Sequence, residues 1–201
     1  LLCVLALLHG EDITEIVASD IDPEAVSLAS RNLALLTLEG FDRRTQEITE
    51  LESRYGKASH ALALESAARI KQRLTLVIDR HPIKTLVFQG DAGDARIMPA
   101  HLRGRPVDLV ITDIPHGRHS QWQGNGHGHK SGSPISALLD ALTQVVSDQA
   151  VVAIASAKHE RVSHASYEPA GKFQIGKRQV ILLKRTACTA DQTVIGAPSR
   201  A

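Results

Sequence analysis

The residues best suited to chemistry in this sequence are carboxylates at the ends of short apolar runs. Val107 to Thr112 is a run of mostly apolar and β-branched residues that passes into Asp113-Ile114-Pro115-His116-Gly117. Such a run predicts a buried strand ending at Asp113, because the proline that follows cannot donate to a ladder. In an open α/β sheet, ligands sit in the crevice beyond the carboxyl ends of the strands. An acid, a rigid proline and a planar ring at that edge are suited to gripping the amino edge of a flat heterocycle while His116 stacks on its face. The plain alternative is a strand that ends in a turn, since Asp and Pro are common turn residues.

Two further runs end in the same way. Glu15 to Ser19 closes on Asp20-Ile21-Asp22-Pro23-Glu24, where Asp22 suits a helix N-cap, Pro23 the first helical position and Glu24 the positive end of the dipole. An acid at the place of Asp20 accepts hydrogen bonds from ribose hydroxyls in nucleotide-binding α/β folds, although it is equally a solvated loop acid. Thr85 to Gln89 closes on Gly90-Asp91-Ala92-Gly93-Asp94. Small residues there leave room for a purine, with Asp91 placed to accept from an exocyclic amine, or else they form a glycine-rich turn. From Ile114 to Leu139 there is no acidic residue, while Arg118, His119, His127, His129 and Lys130 supply donors and Trp122 a stacking surface. With six Gly or Asn between Gly117 and Gly132, the segment reads as a mobile loop that holds a polyanion while one base is worked on. A metal site built from His116, His119, His127 and His129 is disfavoured, since no Cys or carboxylate joins them, and no metal is expected.

The elements that must position these residues alternate. Leu1 to Leu8 reads as a helix, with Gly10 left-handed after its last turn, and a second helix runs from Pro23 to about Thr37. Residues 39 to 84 break the alternation with two helical stripes separated near Gly56, a helical hairpin. Its nine basic residues against seven acidic ones describe a solvated face. A short helical piece precedes the strand at Val107, Ser133-Pro134 starts another helix, Ala150 to Ala155 is a buried strand, and residues 172–176 and 178–183 form a closing hairpin. The expected organisation is one domain over residues 1–185, with 39–84 inserted, and a disordered tail over 186–201.

Composition sets the class. With 201 residues, 43% hydrophobic and 22% charged, the chain can bury a core, and its net charge of +1 does not by itself indicate a nucleic-acid partner. Cys3 and Cys188 make neither a disulfide framework nor a metal motif, so a reduced, cytoplasmic setting is expected. Leu1 to Leu8 is too short to span a bilayer and lacks the features of a signal peptide, so no membrane partner is expected.

This order of elements resembles a Rossmann-like S-adenosylmethionine (SAM) methyltransferase. More narrowly, Ala18-Ser19-Asp20-Ile21-Asp22-Pro23, Asn32-Leu33-Ala34-Leu35-Leu36, Tyr55-Gly56-Lys57 and Thr112-Asp113-Ile114-Pro115-His116-Gly117 with Trp122 resemble the avilamycin-resistance ribosomal RNA methyltransferases of the AviRa type. The resemblance implies an α/β methyltransferase sheet with helices on both faces, a helical-hairpin insertion and a closing antiparallel hairpin. It implies SAM as cofactor, bound by Asp20 at the ribose, by Ile21 beside it in the sequence, and by Asp91 and Ala92 at the adenine. Asp113, Ile114, Pro115 and His116 would meet the target guanine, and Arg118 and Trp122 the surrounding ribosomal RNA. Two departures are visible. The glycine-rich loop that follows the family's first strand has no counterpart, so the chain reads as N-terminally truncated, its first strand and loop missing; His116 stands where the family shows Tyr.

The expected reaction is direct methyl transfer by a monomer. SAM carries an activated methyl group, and the protein has to hold a nitrogen in line with it and let that nitrogen lose a proton. Asp113 and the Ile114 carbonyl would orient the nitrogen, Pro115 stiffen the turn, His116 stack and Arg118 contact phosphate. A non-catalytic RNA-binding remnant and a dinucleotide-dependent oxidoreductase, which shares the acid at Asp20, are the competing classes.

Overall fold

The computed structural model describes residues 1–114 and 133–186, as two compact units divided between Ala92 and Gly93.

The first unit holds α1 (Leu2–His9), β1 (Glu15–Asp20), α2 (Pro23–Ala34), α3 (Leu38–Tyr55), α4 (Ala58–Arg80) and β2 (Lys84–Gln89). Its two strands pair in parallel, from Glu15 opposite Lys84 to Asp20 opposite Gln89. A parallel pair needs a long crossover, and here three helices supply it. Asp22 caps α2 by accepting from the Glu24 amide at 2.9 Å, with Pro23 at the first turn. That helix stops at Ala34, short of the expected Thr37, because Thr37 instead caps α3 by accepting from Gly40 N at 3.1 Å. Gly56, at φ +57°, ends α3 in the left-handed conformation and opens the way into α4. The helical hairpin over 39–84 thus consists of α3 and α4, with Lys84 already in β2.

The core of this unit gathers Ala6, Ile16, Leu33, Leu36 and Leu74, with Phe41, Ile78 and Val87 packed around them. Gly10 corrects the sequence-based expectation. Its backbone is right-handed (φ −61°, ψ −21°), so no left-handed cap requires a glycine there. Space does: a Cβ at Gly10 would lie 2.5 Å from Val77 Cγ1 and 2.7 Å from the Ala6 carbonyl.

The second unit holds α5 (Ile97–Leu102), β3 (Val107–Asp113), α6 (Pro134–Thr143), β4 (Val146–Ala157), β5 (Tyr167–Ile175) and β6 (Arg178–Arg185). Its four strands are ordered β3-β4-β6-β5, with β3 and β4 parallel and the other pairs antiparallel. Ser133 caps α6 by accepting from the Ser136 amide at 3.2 Å, and the helix buries Ile135, Leu138, Leu139 and Leu142. On the sheet, burial alternates. Val152, Ile154 and Ser156 on β4 and Gln179, Ile181 and Leu183 on β6 are covered, while Ala153, Ala155, Val180 and Leu182 are half-exposed.

Three strand expectations need adjusting. β3 is not a buried strand: Leu109 is 53% and Ile111 41% exposed, on the sheet face that also carries half-exposed Ala153, Ala155 and Val180. β4 runs well beyond Ala150–Ala155 at its amino end, and β5 begins at Tyr167 rather than at residue 172. Pro169 lies inside β5, which a sheet interior would not allow, but β5 is an edge strand whose register shifts between Pro169 and Gly171. No helix among the described residues is long and apolar enough to cross a membrane.

Candidate active site

In the first unit, the predicted cofactor residues meet at the carboxyl ends of the parallel pair. Asp20 is the last residue of β1, and one oxygen of its exposed carboxylate accepts from the Asp22 amide at 2.9 Å, closing a turn that leads into α2. Beside it, the Gln89 side-chain amide donates to the Ile21 carbonyl at 2.9 Å, and Gly90 N donates to the Asp20 carbonyl at 2.9 Å. These two bonds tie the turn after β1 to the turn after β2, which carries half-buried Asp91 and Ala92. Ile21, 36% exposed, sits on the same rim. An acid that accepts, a small residue and open backbone lie along one strand-end edge.

In the second unit, β3 ends at Asp113 as its proline-terminated sequence requires. Ile114 follows, 3% exposed, and its amide donates to the Ala155 carbonyl at 3.0 Å, extending the ladder one residue past the strand. Pro115, His116, Arg118 and Trp122, like the histidine-rich loop they belong to, lie outside the described residues.

Arg178 is the residue that sequence reasoning missed. Its guanidinium forms an ion pair with the Asp113 carboxylate, the two side chains being 43% and 55% exposed. The sheet register explains the pairing. Asp113 lies opposite Ala155 on β4, Ala155 opposite Val180 on β6, and Arg178 two residues before Val180 therefore shares their face. Two strand spacings, about 9–10 Å, separate β3 from β6, a gap that a long side chain can bridge over small residues. Ala155 and Ala157 are those small residues. Gly176, at φ +59°, leads the two-residue turn joining β5 to β6 and sets Arg178 at the carboxyl end of β3 and β4. Lys158, Arg161 and Lys177 are exposed in the connections around this edge. No signal in the sequence links positions 113 and 178, which are 65 residues apart.

Beneath the opposite face, Gln179 is wholly buried and donates to Ser156 Oγ at 3.1 Å and to the Glu160 carbonyl at 2.7 Å, holding the segment after β4 against the sheet end. Asp94, also near a predicted site, is engaged locally: it accepts from the Arg96 amide at 2.9 Å and from the Arg96 guanidinium at 3.0 and 2.7 Å.

Comparison with known proteins shows the family. Residues 1–178 match the family of the rRNA methyltransferase AviRa. Over 184 residues the chain is 32% identical to a 23S rRNA (guanine(2535)-N(1))-methyltransferase of Streptomyces viridochromogenes, covering 92% of this chain and 71% of that one. Two solved structures of the rRNA methyltransferase aviRa from Streptomyces viridochromogenes superpose with a TM-score of 0.75 at 32% identity, covering 91% of this chain and 71% of theirs. A strand-end acid after each of three strands, the helical hairpin ahead of β2 and the match over nearly the whole chain lead to one conclusion: the protein belongs to the AviRa family of rRNA methyltransferases.

Proposed function

We propose that the protein methylates N1 of a guanine in 23S ribosomal RNA, with SAM as methyl donor. The single observation that carries this reading is Asp113, a half-exposed carboxylate at the carboxyl end of β3, in a chain whose relative is a guanine-N1 methyltransferase. SAM supplies a methyl group already activated on a sulfonium. Asp20 fits its ribose, since one carboxylate oxygen is taken by the Asp22 amide and the exposed side chain can accept more. Asp91, with Ala92 beside it, suits an exocyclic amine and the flat face of adenine.

Asp113 accepts the N1–H of the target guanine, and the Ile114 carbonyl accepts from its exocyclic amine. N1 of neutral guanine carries a proton and has no free in-plane lone pair, so a base held at that atom converts it into a nucleophile. In this reading Pro115 and His116 meet the base, His116 by stacking, and Arg118 and Trp122 hold the flanking RNA. Lys158, Arg161 and Lys177 add positive charge for the phosphate backbone. The protein acts as a cytoplasmic monomer on this RNA.

The test is incubation of purified chain and SAM with unmodified 23S rRNA, followed by nucleoside mass spectrometry. Formation of 1-methylguanosine at one position supports the reading. Methylation of another base or atom, or none, refutes it.

A further inference from the structure

We infer that Arg178 and Asp113 together read the Watson–Crick edge of the target guanine, and that Arg178 stabilises the charge reaching O6 as N1 loses its proton. The inference deepens the proposal above and rests on its guanine-N1 assignment. Guanine presents an acceptor (O6), a donor (N1–H) and a donor (the exocyclic amine) in a row. A guanidinium beside a carboxylate presents a donor followed by an acceptor. The Arg178–Asp113 pair therefore offers the pattern that guanine requires, with Arg178 on O6 and Asp113 on N1–H. Adenine, which carries an amine at C6 and an unprotonated N1, meets donor against donor and acceptor against acceptor, a mismatch that leaves polar groups unpaired.

The same geometry serves the chemical step. The N1 proton passes to the Asp113 carboxylate, and the electron pair left on N1 forms the new bond to the methyl carbon. The old bond from that carbon to sulfur breaks with its electrons returning to sulfur, which changes from sulfonium to thioether. As N1 gives up its proton, electron density spreads through the ring carbonyl to O6. A guanidinium that is always charged and already held in place is suited to that oxygen, because stabilisation that strengthens toward the transition state accelerates the step. Arg178 is kept in position by its ladder partners Ala157 and Ile175, which leave space over Ala155 and Ala157. Among the described residues, the charged or titratable groups around it are Asp113 on β3, Lys158 and His159 just after β4, and Lys177 in the β5–β6 turn.

The experiment uses the whole chain, SAM and the 23S fragment that contains the methylated guanine. Single-turnover rates are measured for wild type, Arg178→Gln and Arg178→Lys over about pH 8 to 10, above the range in which histidines ordinarily titrate. Arg178→Gln should lose about 10²-fold or more at the lower end, with RNA affinity little changed, and recover as pH rises, because alkali supplies the driving force for N1 deprotonation that the guanidinium no longer gives. Arg178→Lys keeps a charged donor and should show the same displacement to a smaller extent. The lysine variant also carries the test should Arg178→Gln not fold. A loss that is equal at every pH, a loss confined to RNA affinity, or no loss overturns the inference. Absence of 1-methylguanosine from the wild-type reaction overturns the guanine-N1 assignment instead, so the two failures are distinct.

Discussion

Replacing Asp113 by Asn separates a catalytic carboxylate from a structural one. The amide keeps the size and shape of the side chain and removes its charge and its capacity to take a proton. Both members of the Arg178–Asp113 pair are roughly half-exposed, at 43% and 55%, so solvent screens the interaction. An exposed pair of this kind is worth about 0–1 kcal/mol, which for a chain of this size lowers the melting temperature by no more than about 4 °C. Loss of a positioned general base, by contrast, costs about 10²–10⁴-fold in the chemical step, or roughly 3–5.5 kcal/mol of transition-state stabilisation. The two effects are far enough apart to be read independently. Thermal melting of Asp113→Asn should stay close to wild type, while single-turnover formation of 1-methylguanosine at saturating SAM and RNA falls by that factor. A variant that methylates at a near-normal rate would refute the role assigned to the end of β3. A variant that melts more than about 10 °C lower would show that the carboxylate chiefly supports the fold.

Three more outcomes are expected. Asp20→Ala should weaken SAM binding by about 10–150-fold in titration calorimetry, the loss of one charge-assisted hydrogen bond worth ~1.5–3 kcal/mol, while transfer at saturating SAM survives in part; unchanged affinity would leave Asp20 as a turn residue only. Gly40→Ala should cost about 1–3 kcal/mol in urea unfolding, because its Cβ would lie 2.1 Å from the Ala34 carbonyl oxygen and backbone must shift to admit it; stability equal to wild type would mean that α3 relaxes freely. Tyr167 is 5% exposed, its hydroxyl has no hydrogen-bond partner among the described residues, and burial pushes its pKa from 10.0 up to about 12. The neutral form is favoured by folding, so the stability it contributes is complete below about pH 10 and drains away as pH rises toward 12. Tyr167→Phe should flatten that alkaline decline in urea midpoints, and an identical decline in both proteins would assign it to other groups.

Local chemistry made much of this protein legible from its sequence. Asp22-Pro23-Glu24 and Ser133-Pro134 announce helix starts because capping depends on residues a few positions apart, and both caps form as those residues dictate. The strands ending at Asp20, Gln89 and Asp113 follow from apolar runs cut off by residues that turn the chain, and the acids at their tips were visible for the same reason. Tertiary structure decided what depends on neighbours distant along the chain. Leu109 and Ile111 are exposed because register sets them on the sheet face opposite buried Val152, Ile154 and Leu183, which depends on what packs against each face and not on residue type. A glycine is needed at Gly10 because Val77 packs against it, 67 positions further along, and a run of eight apolar residues before it reads only as a helix end. The pairing of Arg178 with Asp113 exists because register across β4 puts both on one face with only alanines between them. Register is a property of strands brought together by the whole fold, so the second half of the site was written in three-dimensional proximity while the first half was written in the order of the residues.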